Sequence, residues 1–135
     1  MIHLDTNVLI GLLNRRPVVL RDRFDEAIDS DKPLSISVVV QHEMLFGAAA
    51  SRVPERNEQN LWKLLGLGIA IIPFDADDAK EAADIRAHLK RLGTPIGPYD
   101  ILIAAQARRR GATLITANTR EFQRVSGLQV VDWAA

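Results

Sequence analysis

The sequence has 135 residues in which 17 Lys and Arg balance 17 Asp and Glu, so the formal net charge is zero. This length suits a single domain over residues 1–135 with a substantial core. The charge balance excludes a uniformly basic nucleic-acid coat, while a local basic patch stays open. The absence of cysteine excludes disulfides, zinc–thiolate sites and cysteine nucleophiles.

The sequence gives no indication of membrane insertion or secretion. No apolar run approaches the length that a bilayer requires. The opening MIHLD predicts a strand, and it lacks the basic segment followed by an apolar segment that is typical of a signal peptide. We therefore expect a soluble, cytoplasmic protein with no membrane association.

The first half of the chain alternates short apolar segments with helical patterns. Thr6 and Asn7 can cap a helix, Pro17 interrupts it, and Pro54 suits the first turn of a later helix. The predicted elements are a strand over residues 2–4, a helix from residue 6, a helical segment ending near residue 29, a strand over residues 34–37, a helix over residues 38–50 and a helix from residue 54.

The second half continues this alternation. Asp75, Asp77 and Asp78 begin a long helix that Lys90 and Arg91 close, and this order of charges matches the helix dipole. The predicted elements are a strand over residues 69–73, the long helix up to residue 93, a helix over residues 99–110, a strand over residues 113–116, a turn with a short helix in TANTREF, and a strand over residues 128–131.

Short, continuously apolar strands that alternate with helices predict parallel pairing, with helices on both faces of the sheet. The predicted fold class is α/β, with three layers and a central, mostly parallel sheet of four to five strands. Ligands of such sheets bind outside the carboxyl ends of the strands. Asp5 follows the first strand and Asn118 lies just after the fourth, so the site is expected between them.

Three acidic residues, Asp5, Glu43 and Asp100, are the strongest candidates for chemistry. Glu43 and Asp100 each lie on the apolar face of a predicted helix, where a carboxylate is costly without a positive partner. Each also has an ordinary explanation: Asp5 as an N-cap or turn residue, Glu43 as a helix residue with an exposed head, and Asp100 as an acid in the first turn of a helix. Only the three together suggest a shared cation.

A shared cation would have a clear chemical consequence. Two unit charges about 4 Å apart repel by roughly 4 kcal/mol at an effective dielectric near 20, and a divalent ion relieves that repulsion. Ligation by carboxylates and water suits Mg²⁺, with Mn²⁺ as a substitute. Because such ions bind phosphate oxygens and polarise water, phosphodiester hydrolysis is the natural hypothesis.

Several longer segments carry a resemblance. They are, in chain order, LDTN, ISVVVQHEMLFGA, PERN, GTPIGPYDILIAAQARRRG and LITANTREFQRVSGLQVVDW. In their order and spacing they resemble the PIN-domain ribonucleases, and most closely the VapC toxins of bacterial type II toxin–antitoxin modules. The resemblance covers essentially the whole chain and implies a PIN-like form of the predicted fold.

The resemblance implies a role for each acidic position. Asp5 and Asp100 match the principal Mg²⁺ ligands, and Glu43 matches a third acid that binds the ion through water or orients the nucleophile. Where the family often has a fourth acid, this chain has Asn118, which would orient an outer water or the scissile phosphate. The resemblance therefore predicts one tightly held ion. Other polar residues expected beside the site or against RNA are Thr6, Asn7 and Thr116.

The resemblance also implies an activity and partners. It predicts a Mg²⁺-dependent endoribonuclease toxin that cleaves structured RNA, with tRNA as the expected substrate, and so inhibits translation. A VapB-like antitoxin would neutralise the toxin, and the assembly would be a homodimer that forms a larger hetero-oligomer with the antitoxin. Trp62 with Leu61, Leu64 and Leu65 offers more apolar surface than one helix face needs, so part of it could form the antitoxin groove.

The remaining candidates leave alternatives open. The run Arg108–Arg110 has two possible roles, a solvated helix end or a contact with RNA. We expect the first role for at least two of the three arginines and assign the second to Arg108. The three histidines have no ligand spacing and are expected to be structural or surface residues. A PIN-like module that binds RNA or a partner without turnover would suit the missing fourth acid. A phosphatase with Asp5 as nucleophile is disfavoured, because TN follows Asp5 and supplies no second acid.

Overall fold

The computed structural model describes the whole chain, residues 1–135, as a five-stranded sheet with helices on both faces. The strands are β1 (Ile2–Leu4), β2 (Leu34–Ser37), β3 (Ile69–Ile72), β4 (Thr113–Ile115) and β5 (Gln129–Val131). The helices are α1 (Thr6–Asn14), α2 (Val19–Asp29), α3 (Val38–Ala49), α4 (Pro54–Leu65), α5 (Ala76–Leu92), α6 (Pro98–Arg109) and α7 (Thr119–Phe122).

All neighbouring strands pair in parallel, in the order β3-β2-β1-β4-β5. All of β2 and most of β1 are buried, as expected of strands with helices on both sides. The edge strands β3 and β5 are more exposed. The structure therefore confirms the predicted three-layer α/β class and gives the larger of the two predicted strand numbers.

The helix ends lie close to the predicted positions, and local chemistry explains them. At the start of α5, the Asp75 carboxylate accepts the backbone N–H of Asp78 at 2.8 Å, and the Asp78 carboxylate accepts that of Asp75 at 3.0 Å. This is a reciprocal capping box. Gly93 ends the helix with a φ of 71°, which glycine adopts without a steric penalty. The predicted strands were longer than the observed ones by one residue at positions 73, 116 and 128.

One hydrophobic cluster of 29 buried residues joins the layers. Polar residues inside it include His3, which is almost fully buried in the central strand. Burial, followed by the nearby positive charge of Arg110, lowers the pKa of His3 to about 4, so this histidine is neutral at physiological pH. No helix is both long enough and apolar enough to cross a membrane.

The fully buried carboxylate of Asp78 ties α5 to α6. Its Oδ1 accepts hydrogen bonds from Arg109 Nε at 2.9 Å and from Arg110 Nη1 at 2.8 Å. Burial alone would raise the pKa of Asp78, but hydrogen bonds from Arg110, the Asp75 backbone and Arg109 outweigh it and lower the pKa to about 2. The acid is therefore charged and paired at every physiological pH.

This network corrects the expectation that the arginine run is a solvated helix end. Arg109 also pairs with Asp75 at 2.9 Å. Arg108 pairs with Glu81 at 2.6 Å and donates to the Ser126 carbonyl at 3.1 Å. All three guanidinium groups are engaged because α6 packs along α5, and the sequence run alone does not reveal partners about 30 residues away.

Replacing Asp78 with alanine should destabilise the fold by about 3 kcal/mol, because two arginines would lose the acid that compensates their partly buried charge. Denaturant unfolding at pH 7 measures the change. The difference from wild type should shrink as the pH falls from about 4 to about 2, where the wild-type acid also loses its charge.

The matched control is Asp84→Ala on the same helix, which breaks an exposed pair with Lys80 at 2.8 Å. That variant should unfold at nearly the wild-type denaturant concentration, because water screens exposed pairs. Equal losses for the two variants would show that the Asp78 network does not hold α6 on α5.

Candidate active site

The strand order places a crevice between β1 and β4. From β1 the chain builds the sheet outward through β2 and β3, and later builds in the opposite direction through β4 and β5. Ligand sites of open α/β sheets lie at such a switch point, outside the carboxyl ends of the strands. Asp5 follows β1 and Thr116 follows β4, and the Thr116 hydroxyl donates to Asp5 Oδ2 at 2.7 Å.

Asp5 is held rigidly at the base of this crevice. It is 5% exposed and caps α1 by accepting the Thr6 backbone N–H at 2.8 Å, so the ordinary N-cap explanation is also correct. The Asn7 amide donates to its Oδ2 at 3.3 Å. Burial raises the pKa of Asp5, hydrogen bonds from Thr116 and Thr6 oppose the rise, and the negative charges of two nearby glutamates add to it.

Glu43 reaches the same crevice from α3. Its Oε1 accepts the Thr6 hydroxyl at 2.9 Å, and its other oxygen has no protein donor. The expected apolar face of α3 is buried at Val40 but open at Phe46, which is 67% exposed. Glu43 is therefore half-buried at a rim and does not point into the core. It also borders a cleft of about 370 Å³ between α1, α3 and α4.

Asp100 completes the predicted trio from the first turn of α6. It is half-buried. Burial, the negative charges of Asp5, Glu121 and Glu43, and a hydrogen bond shared with Glu121 together raise the pKa of Asp100 to about 7, and burial is the largest of these causes. The structure brings the predicted trio to one crevice: Thr6 is hydrogen-bonded to both Asp5 and Glu43, and the charges of those two acids act on Asp100.

Glu121 of α7 is a fourth acid that the sequence analysis missed. Its Oε1 accepts the Gly97 backbone N–H at 2.8 Å, and its Oε2 accepts the Asn118 amide at 2.6 Å. These two bonds, in that order, lower the pKa of Glu121. A Cβ at Gly97 would lie 3.2 Å from Asp100 Oδ2 and 3.8 Å from Glu121 Oε1, so the glycine leaves room for the two carboxylates to meet.

This geometry changes the role expected of Asn118. Its side-chain amide is used to hold Glu121, and its backbone N–H donates to the Thr116 hydroxyl at 3.0 Å. The site therefore contains four carboxylates rather than three carboxylates and an amide. The spacing N-x-x-E in NTRE could have predicted the contact between Asn118 and Glu121, because a glutamate three residues after the N-cap of a helix commonly folds back onto that residue.

Asn7 and Thr116 hold the two strand ends together. Asn7 Oδ1 accepts the Ala117 backbone N–H at 3.1 Å, and its amide donates to the Thr116 hydroxyl at 3.3 Å. The polar residues that the sequence placed beside the site, Thr6, Asn7 and Thr116, thus position the carboxylates. Arg108 lies about 12 Å along the α6 axis from Asp100 and is bonded to Glu81, so an RNA contact by Arg108 stays a prediction without structural support.

The four carboxylates form no ion pair within the protein, and the only arginine whose charge acts on one of them is Arg124, which contributes least to the lowered pKa of Glu121. None of the salt bridges includes Asp5, Glu43, Asp100 or Glu121. No three acidic or histidine side chains converge closely enough to ligate one ion together. The available donors are all oxygens, which suit a hard divalent cation that keeps water among its ligands.

Comparison with known proteins identifies the family of the chain. Residues 2–128 match the model of the PIN domain family. The chain is 40% identical over 131 residues to a protein of Shigella flexneri named tRNA(fMet)-specific endonuclease VapC. The alignment covers 97% of this chain and 96% of the relative.

Two solved structures show the same fold. DNA-bound VapBC from Salmonella typhimurium matches with a TM-score of 0.90 and 36% identity, covering 98% of this chain and 97% of the other. VapBC2 from Rickettsia felis, bound to a promoter DNA fragment, matches with a TM-score of 0.92 and 30% identity, covering 98% and 99%. Because the fold matches and the alignments cover nearly the whole chain, the chain belongs to the PIN-domain family and, within it, to the VapC proteins.

Proposed function

We propose that this protein is a Mg²⁺-dependent endoribonuclease and the toxin of a toxin–antitoxin pair, acting in the cytoplasm. The observation that carries the proposal is the group of four carboxylates at the sheet's switch point with no basic partner, two of which have raised pKa values. A protein that held these acids for structure alone would pair them with arginines, as it does Asp78. Perturbed acids in a crevice are characteristic of functional sites.

The proposed roles of Asp5 and Asp100 follow the family resemblance, and those of Glu43 and Asn118 follow their hydrogen bonds. Asp5 and Asp100 hold the ion, Mg²⁺ or Mn²⁺ in its place, while Glu43 and Glu121 act through water because no three acids converge on one point. A bound ion would neutralise charge on the phosphodiester and activate water. Glu43 keeps one oxygen unbonded, so it can orient the attacking water and accept its proton. Asn118 fixes Glu121 beside Asp100.

The proposed substrate is a structured RNA, with tRNA first. The relative from Shigella flexneri is named for cleavage of tRNA(fMet), and loss of an initiator tRNA would stop translation and growth. The arrangement of the four acids does not itself select an RNA sequence, so end-mapping of cellular RNA after brief induction identifies the cut. Wild type and Asp100→Asn, compared side by side, separate toxin cleavage from background.

The proposed protein partners are a VapB-like antitoxin and a second copy of this chain. The matching structures are VapBC complexes. The cleft between α1, α3 and α4 is partly apolar and reaches Glu43, so a segment bound there would approach the carboxylates. Most of the leucines near Trp62 are core, as expected, and Trp62 itself is 43% exposed. Homodimerisation rests on the family resemblance.

The competing functions lose their support. The case for a binding module without turnover was the missing fourth acid, and Glu121 supplies that acid. A covalent phosphatase with Asp5 as nucleophile stays disfavoured, because Asn7 stands where such an enzyme has a second acid, and the Asn7 amide donates to Asp5 Oδ2 at 3.3 Å. The nuclease is therefore the function that the site supports best.

Removing the charge of either proposed ligand should abolish turnover. Asp5→Asn and Asp100→Asn should each lower Mg²⁺-dependent RNA cleavage by roughly 100-fold or more, because loss of even an outer partner of a metal typically costs 10- to 100-fold. Asp77→Asn, an 84% exposed acid at the start of α5, is the control and should cleave at the wild-type rate. Metal-dependent cleavage retained by Asp100→Asn would refute the assignment.

The charge of Asp100 should also destabilise the ion-free protein. The folded pKa of about 7 lies above the ordinary value of 3.8, so the folded state binds this proton more tightly than the unfolded state. The contribution of Asp100 to stability is therefore full below pH 4 and declines as the pH rises through 7. In EDTA, Asp100→Asn should melt at a higher temperature than wild type at pH 7.5 and at a similar one at pH 4. A lower melting temperature at pH 7.5 would contradict this account.

Filling the cleft should release the toxin from its antitoxin. Gly47 lines the cleft, and a Cβ added there meets no atom within 4 Å, so Gly47→Trp should fold normally and occupy the cleft. We expect at least a tenfold loss of affinity for the antitoxin encoded with it, measured by calorimetry, while RNA cleavage by the free protein persists. Ala49→Trp, on an exposed position of α3 outside the cleft, is the control. Unchanged affinity in Gly47→Trp would remove the cleft from the interface.

A further inference from the structure

Two exposed aromatic rings directly precede two of the four carboxylates in the sequence. His42 precedes Glu43 in α3, and Tyr99 precedes Asp100 in α6. Their ring centroids lie 5.7 Å apart with the planes at 71°, an edge-to-face pair that bridges the two helices. Neither the Tyr99 hydroxyl nor the His42 ring nitrogens makes a hydrogen bond in the structure, and Tyr99 is 48% exposed. The fold therefore leaves both rings open at the rim of the site.

The geometry of the pair leaves room for a third planar group. In an edge-to-face pair, one ring covers one face of the other, so most of the aromatic face area stays free. Unpaired RNA bases are bound by stacking on such faces, and the interaction tolerates any base. The two rings and two of the acids come from the same two helix segments, since His42 precedes Glu43 in α3 and Tyr99 precedes Asp100 in the first turn of α6. Consecutive helix residues point about 100° apart, so the rings lie to the side of the carboxylates, where a base would belong to a nucleotide flanking the reacting phosphate.

We propose that Tyr99 and His42 form a stacking platform for one unpaired nucleobase that flanks the scissile phosphate. The inference rests on the proposed nuclease function. It adds one requirement on the substrate: the flanking base must be able to unstack from adjacent bases and lie on Tyr99. Tyr99 is then a positioning residue, and His42 supports its ring. A base in a continuous helix is already stacked and would be a poor occupant.

The test measures steady-state cleavage of an RNA stem-loop that carries the mapped cut site. Tyr99→Ala should raise KM by roughly 5- to 100-fold, the range expected for loss of one stacked base, with kcat nearly unchanged. Tyr99→Phe, which keeps the ring and loses the hydroxyl, should retain the wild-type KM. Leu92→Ala removes an exposed apolar side chain from the end of α5, which carries none of the four acids, and should leave KM unchanged.

A second arm uses the same RNA with an abasic nucleotide on one side or the other of the scissile phosphate. One of these two substrates should raise the wild-type KM by the same factor as Tyr99→Ala, and the two changes together should cost no more than either alone. A structural role for Tyr99 would instead give independent, multiplying losses. Melting temperatures of all variants confirm that each is folded.

The remaining outcomes distinguish failure of the stacking platform from failure of the proposed nuclease function. If wild type cleaves the RNA and Tyr99→Ala cleaves with an unchanged KM, the platform is wrong and the nuclease stands. If Tyr99→Ala loses affinity for the antitoxin and keeps its KM for RNA, the rings form a protein contact and the inference is overturned. If wild type cleaves no RNA with Mg²⁺ or Mn²⁺, the proposed function fails and the platform fails with it.

Discussion

Repulsion among Asp5, Glu43, Asp100 and Glu121 is opposed in this protein mainly by neutral donors, without a salt bridge to any of the four. Hydroxyls of Thr6 and Thr116, amides of Asn7 and Asn118, and backbone N–H groups of residues 6 and 97 fix Asp5, Glu43 and Glu121, while Asp100 accepts from none of these donors. These donors orient the acids without neutralising them, which is why burial and mutual charge raise the pKa values of Asp5 and Asp100. The parallel sheet, the α1 cap and the glycine at position 97 all serve this placement.

The same fold treats a structural acid in the opposite way. Asp78 is more deeply buried than any of the four, yet two arginines and a backbone N–H lower its pKa to about 2. The chain therefore has arginines available for buried acids and uses them where α5 meets α6. Because the crevice acids lack such partners, they keep a region of negative potential open to a cation. This contrast with the paired Asp78 is what distinguishes the proposed functional acids from a structural one.

Sequence patterns were sufficient for the parallel sheet and the element order, because these follow from local periodicity, and the rule for strand ends placed Asp5 at the crevice. Glu121 was missed because it was treated only as part of the short TANTREF helix, although its contacts reach Gly97, 24 residues earlier. The pairing of the arginine run with α5 was missed for the same reason, since its acids lie about 30 residues away. Long-range partners of exposed-looking charges are the part that local patterns leave undetermined.

The account depends on a cation lying between Asp5 and Asp100. Anomalous diffraction from crystals grown with Mn²⁺ measures this directly. We expect one strong peak within ligand distance of both carboxylates, with water in the remaining positions, and no peak there in crystals of Asp100→Asn. A wild-type crystal with no peak in the crevice, or with its only peak at the exposed acids near the start of α5, would contradict the account.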